Sequence, residues 1–148
     1  MTATPHHLSD TLSSTLDIFL EALLARKAQN PVVLDVRKQT TIADLFIIAS
    51  GRSHRQVTAM AEHLQRSLKK QKIKPLHIEG RKDGQWTLMD YGDVVIHLFY
   101  APVRQLYDLE SLWIDAQRIE TPRLAAYRSS IKDDDPFDEM EDDHDNLD

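Results

Sequence analysis

No cysteine occurs among the 148 residues, which excludes disulfides and thiolate chemistry. No stretch approaches the roughly 20 consecutive apolar residues of a membrane-spanning helix. The opening residues MTATPHHLSD lack the basic patch and apolar run of a secretory leader. A cytoplasmic chain without membrane contact is expected. Phosphate-cradling glycine patterns are missing too: Gly51 stands alone where a dinucleotide site needs GxGxxG and a P-loop needs GxxxxGK[ST]. His6, His7, His54, His63 and His77 show no metal-ligand spacing, and no nucleophile has a base and an acid beside it. These absences argue against an enzyme, a cofactor, a metal and a small-molecule substrate.

What is present is unevenly charged. The formal net charge is −6, yet residues 131–148 hold ten carboxylates against one lysine, while residues 1–130 hold 17 Lys and Arg against 14 Asp and Glu. A mildly basic body therefore carries an acidic tail with four large apolar side chains, Ile131, Phe137, Met140 and Leu147. Those are too few to offset the entropy of ordering it. The expected organisation is a flexible extension at 1–11, one α/β domain at 12–120 and a disordered acidic tail at 121–148. The tail reads either as a solubilising arm or as a mimic of nucleic acid that keeps the basic body from non-specific contacts.

Within the body, residues 11–28 read as an amphipathic helix with Leu16, Phe19, Leu20, Leu23 and Leu24 on one stripe, stopped by Asn30-Pro31. Short strands follow at 32–36 and 45–49. Ser53 then caps a helix reaching about residue 72, whose buried face is Val57, Met60, Ala61, Leu64 and Leu68. A third strand at 76–79 and a loop with Gly80 and Gly84 at its ends lead into the richest stretch, WTLMDYGDVVIHLFYAPVRQLYDLESLW. There Trp86, Leu88 and Asp90 alternate with Thr87, Met89 and Tyr91, Gly92 turns the chain, and residues 94–100 form a buried strand. After Pro102, Leu106, Leu109 and Trp113 recur at helical spacing. The expected fold is α/β: a single mixed sheet of about five strands with helices packed mainly on one face, and a crossover from the second strand to the third joining parallel strands. Three helices leave part of the other face uncovered, and an exposed apolar face fits a macromolecular partner.

Several residues have two readings each. Trp86 and Tyr91 are core residues or interface anchors. Asp90 and Asp93 flank Gly92 without a third ligand, so structural or interface use outweighs metal binding. His97 is a satisfied core or interface histidine. Arg52 and Arg55 follow Gly51 at a strand-to-helix junction, an ordinary cap or a phosphate contact. Trp113 and Leu109 fit core packing, whereas Tyr107 lies at another azimuth and can reach outward.

LDVR at 34–37, ADLFIIASGRSHRQV at 43–57, EG at 79–80, WTLMDYGDVVIHLF at 86–99 and VRQLYDLESLW at 103–113 together resemble the ribosomal silencing factor family, also called Iojap-like, over roughly residues 12–118. The resemblance implies a nucleotidyltransferase-like fold without catalytic residues. It also implies a function: binding the fourteenth ribosomal protein of the large subunit, blocking association with the small subunit, and so repressing translation when nutrients are scarce. Homodimers are part of that expectation. The family's partner-binding tryptophan matches Trp86, and its DxGDVVVH-like segment matches Asp90, Tyr91, Gly92, Asp93, Val94, Val95, Ile96 and His97. Its YxLExLW element matches Tyr107, Leu109, Glu110, Leu112 and Trp113. The implied partner-binding set is Trp86, Leu88, Asp90, Tyr91, Asp93, Tyr107 and Glu110, with Trp86, Leu88 and Tyr91 giving apolar contact and the carboxylates pairing with basic side chains. Arg52, Arg55, Arg81 and Lys82 are implied to face adjacent ribosomal RNA. The two ends of the chain are expected to lie beyond the family's pattern. An active nucleotidyltransferase-like enzyme and an RNA-binding module are the alternative functions.

Overall fold

The computed structural model describes residues 8–132. Ser9 caps helix α1 (Asp10–Leu24), its hydroxyl accepting the Leu12 amide at 3.1 Å. Leu12, Leu16, Phe19, Leu20 and Leu23 bury one side of it. Lys27 then takes a left-handed conformation (φ 59°), so the helix ends earlier than residue 28. Asn30-Pro31, expected to stop the helix, instead lies within strand β1 (Gln29–Asp35), where Asn30 (φ 48°) sits in a register shift between Gln29 and Val32.

Strand β2 (Leu45–Gly51) is buried along its whole length. Ser53 caps helix α2 (His54–Lys70) by accepting the Gln56 amide at 3.0 Å, and Val57, Met60, Ala61, Leu64 and Leu68 form its buried face, as the spacing predicts. Then come β3 (His77–Glu79), β4 (Trp86–Asp90) and β5 (Val94–Tyr100), helix α3 (Ala101–Tyr107), helix α4 (Leu109–Leu112), a two-residue strand β6 (Gln117–Arg118) and helix α5 (Pro122–Lys132).

The sheet is mixed and has six strands, in the order β3-β4-β5-β2-β1-β6. β2 and β5 are parallel and the other neighbours antiparallel. The α2 crossover does join strands of one direction, since β3 runs the same way as β2, but β4 and β5 lie between them. The sixth strand exceeds the expected five because a two-residue pairing, Leu34 with Arg118 and Asp35 with Gln117, has no period to detect.

Alternation along the strands sorts side chains to two faces. On one face Val33, Leu45, Ile47, Ala49, Met89, Ile96 and Leu98 pack with the buried residues of α1 and α2 and with Leu124 of α5. On the other, Val32, Leu34, Phe46, Ile48, Val95 and Phe99 form a second cluster, covered in part by Leu109 and Trp113. The three longer helices therefore occupy one face, and the short α3–α4 segment only partly covers the other.

Both expected domain ends shift outward. Leu8 already packs against the core and α1 starts at Asp10, inside the stretch expected to be an extension. Beyond residue 120, α5 lies along α1 where a tail was expected. Arg123 donates to both carboxylate oxygens of Asp17 (2.7 and 2.9 Å), and the Tyr127 hydroxyl donates to the Ala28 carbonyl at 2.6 Å. Such contacts span about a hundred residues of sequence and leave no local pattern. The remaining tail expectation, residues 133–148, lies outside the described residues, as do residues 1–7.

Candidate protein-docking site

Strand β4 builds the site by alternation. Thr87 and Met89 point into the helix-covered face, while Trp86, Leu88 and Asp90 point to the other. Directly opposed residues share a face, so β5 sets Phe99, His97 and Val95 beside Trp86, Leu88 and Asp90. β3 adds Glu79 beside Leu88 and His77 beside Asp90, and those two side chains pair at 2.6 Å on the exposed rim.

Trp86 is half-buried in a nest of rings. Its indole stacks on Phe99 (centroids 4.8 Å apart, 29°) and is tilted against Tyr107 (5.0 Å, 50°). Its Nε1–H donates to His97 Nδ1 at 3.2 Å. Because Nδ1 accepts, the imidazole is neutral with its proton on Nε2. Burial pushes the His97 pKa down to about 4, which keeps that form. Tyr107 is 55% exposed and its neighbour Leu106 79% exposed, so the nest opens onto an apolar rim.

How Tyr107 gets there corrects the helical reading. Pro102 sits in the first turn of α3, where its missing N–H costs no helical hydrogen bond. Asp108 then adopts a left-handed conformation (φ 49°) that breaks the run into two helices. Leu106, Leu109 and Trp113 are consequently not one stripe. Leu106 is exposed, Leu109 is 7% exposed in the second core, and Trp113 packs edge-on against Phe46 at 4.8 Å. Arg104 fixes the break by donating to the Asn30 carbonyl and Ser50 Oγ (both 2.9 Å) and to both Glu110 carboxylate oxygens (3.1 and 3.0 Å).

The structure thus brings Trp86, Leu88 and Tyr107 together and separates others from them. Tyr91 is on the opposite face, edge-on to Phe19 at 5.1 Å, with a buried hydroxyl whose pKa burial raises to about 12. One residue of strand, with its period of two, decides that. Glu110 is half-buried and engaged by Arg104, with Arg118 at 3.9 Å. Asp90 accepts the Gly92 amide at 2.8 Å and so shapes the turn in which Gly92 has φ 91°. Asp93 is exposed at that turn, and its carbonyl accepts the amides of Asp44 and Leu45. Of the four basic residues, Arg55 and Lys82 are exposed, Arg52 is half-buried, and the Arg81 guanidinium meets Gln65 Oε1. Their two segments meet where Gly84 closes on His54, leaving no room for a β-carbon: one would stand 2.6 Å from the His54 carbonyl oxygen. The indole acceptor, His97, and the stacked ring, Phe99, are functional neighbours that local sequence could not pair with Trp86, since they depend on β4–β5 register. Among the described residues no cluster of three or more His, Asp or Glu is placed to hold a metal, and no helix is long and apolar enough to cross a membrane.

Comparison with known proteins agrees with this frame. The family model described as "ribosomal silencing factor during starvation" matches residues 9–146, so it takes in much of the acidic C-terminal stretch that was expected to lie beyond it. A ribosomal silencing factor of Halalkalibacterium halodurans is 38% identical over 105 residues, spanning 71% of this chain and 90% of that protein. The mouse protein named for mitochondrial assembly of the ribosomal large subunit is 33% identical over 101 residues, 66% of this chain and 44% of its own length. A crystal structure from Bacillus halodurans superposes with a TM-score of 0.67 at 33% identity, covering 74% of this chain and 99% of the other. The chain belongs to the ribosomal silencing factor family and regulates translation as a silencing factor.

Proposed function

We propose that this chain docks on the large ribosomal subunit through the subunit's fourteenth ribosomal protein and, by occupying that surface, keeps the small subunit from joining. One observation carries the reading: the half-exposed Trp86, backed by His97, Phe99 and Tyr107, on the sheet face that the long helices leave bare. A large aromatic ring with buried support and an open side is the usual form of an interface anchor. Leu88 and Leu106 extend the apolar area, and Asp93 supplies an exposed carboxylate for a basic partner. The name of the mouse relative supports a large-subunit partner.

In this reading Tyr91 and Glu110 serve the fold, and Asp90 shapes the turn beside the site. Arg55 and Lys82 contribute salt-sensitive contacts to neighbouring ribosomal RNA. The chain works in the cytoplasm on free large subunits. Its sheet is a nucleotidyltransferase-like scaffold kept for its surface, and a homodimer joined through the Trp86 face is a form that must part before docking.

The test is binding of the purified fourteenth ribosomal protein, comparing wild type with Trp86→Ala. A central anchor costs roughly 2 kcal/mol or more on truncation, about thirtyfold in affinity. Unchanged affinity in a folded variant would refute the docking surface.

A further inference from the structure

His97 does not suit its surroundings. It is 4% exposed, lies 5.0 Å from the Phe46 ring and close to Phe99 and Trp86, and its Nε2 has no hydrogen-bond partner. The tautomer that accepts the indole proton on Nδ1 must place its own proton on that orphan nitrogen. A buried donor without a partner weakens a fold. A phenylalanine would fill the same site, keep an edge contact with Phe46 and remove the orphan donor, giving up only the acceptor for the Trp86 indole N–H. Packing alone therefore does not account for an imidazole here.

We infer that His97 is a positioning residue for docking: its Nδ1 holds the Trp86 indole in one pose on the open sheet face. This rests on the docking reading and adds how the anchor is held. Phe99 and Tyr107 confine the plane of the ring, but stacking is tolerant of rotation within that plane. The hydrogen bond to His97 is directional and fixes which edge of the indole turns outward. The geometry also admits one protonation state only. A proton on Nδ1, in the other neutral tautomer or in the imidazolium, would set two donors against each other. A ring ordered before the partner arrives loses less freedom on docking, an effect worth roughly three- to tenfold in affinity per ordered side chain.

The experiment is a double-mutant cycle in the full chain with His97→Phe and Trp86→Phe, the latter keeping an aromatic ring but no N–H. Two properties are read: affinity for purified large subunits, and the indole N–H resonances, of which the sequence supplies two, from Trp86 and Trp113. His97→Phe should melt near or above the wild-type temperature, move the Trp86 indole signal, and weaken large-subunit binding roughly three- to tenfold, the worth of ordering one side chain before docking. In the Trp86→Phe background the same substitution should change affinity no further. Wild-type affinity in His97→Phe, an unmoved Trp86 signal, or an equal loss in both backgrounds would overturn the assignment. If His97→Phe moves the indole signal but no chain in the cycle binds large subunits, the docking reading fails, and the role of His97 with it, although the hydrogen bond stands.

Discussion

Burial sets the protonation of His97, and through it part of the pH response of the molecule. Its pKa is lowered from 6.5 to about 4 because the charged ring would be desolvated. A group whose folded pKa lies below its unfolded one contributes stability that is complete above the unfolded value. That contribution is lost as pH falls toward the folded value, because the unfolded chain takes up the proton first. Unfolding free energy should therefore decline between about pH 6.5 and 4, by up to about 3 kcal/mol. Denaturant melts at several pH values check this against His97→Phe, which should show a flatter profile. Trp86 had two readings in the sequence, core or interface, and the structure places it half-buried among His97, Phe99 and Tyr107. For Tyr91 the alternation already set it with Thr87 and Met89 on the face opposite Trp86, although the resemblance implied a place beside it, and it turns to Phe19. The engagement of Glu110 could not be read locally, since its partner Arg104 sits on the far side of the break at Asp108.

That break is also the main lesson at the scale of elements. Strands β4 and β5 were readable to the residue because alternation, β-branched content and Gly92 agree. The stretch after Pro102 was not, because leucines and a tryptophan at spacings of three and four imitate a single helix while Asp108 quietly ends one. What decides the geometry is Arg104, which ties α3 to β1 and β2 and to the start of α4. Arg104→Met should remove all of these bonds and leave Glu110 half-buried with only Arg118 nearby, at 3.9 Å. Losing one member of such a network costs about 2–4 kcal/mol. Chemical denaturation measures the loss, and Tyr107 should become freer against Trp86. A core truncation in α2 separates folding from docking: Leu64→Ala, fully buried away from the site, should lower stability by about 2–5 kcal/mol. Affinity per folded molecule, measured in the same preparation, should stay at the wild-type value.

On the scale of the whole molecule, one sheet divides the labour. The long helices bury one face and make the protein stable; the other face, only partly covered by α3 and α4, leaves the rings of Trp86 and Tyr107 partly exposed. Hydropathy alone could not choose between the faces, because both β2 and β5 are buried on each side and only tertiary packing shows where the helices go. Helix α5 was equally hidden, held by Arg123 and Tyr127 to residues of α1 and the chain after it. If the chain silences ribosomes by standing in the small subunit's way, its effect must be stoichiometric and must act before the subunits meet. The most direct measurement is subunit joining, followed by light scattering, with large subunits incubated beforehand with wild type or Trp86→Ala. The account predicts that joining falls in proportion to bound wild-type chain, and that Trp86→Ala needs about thirtyfold more protein for the same block. Full joining by large subunits saturated with wild-type chain would contradict it.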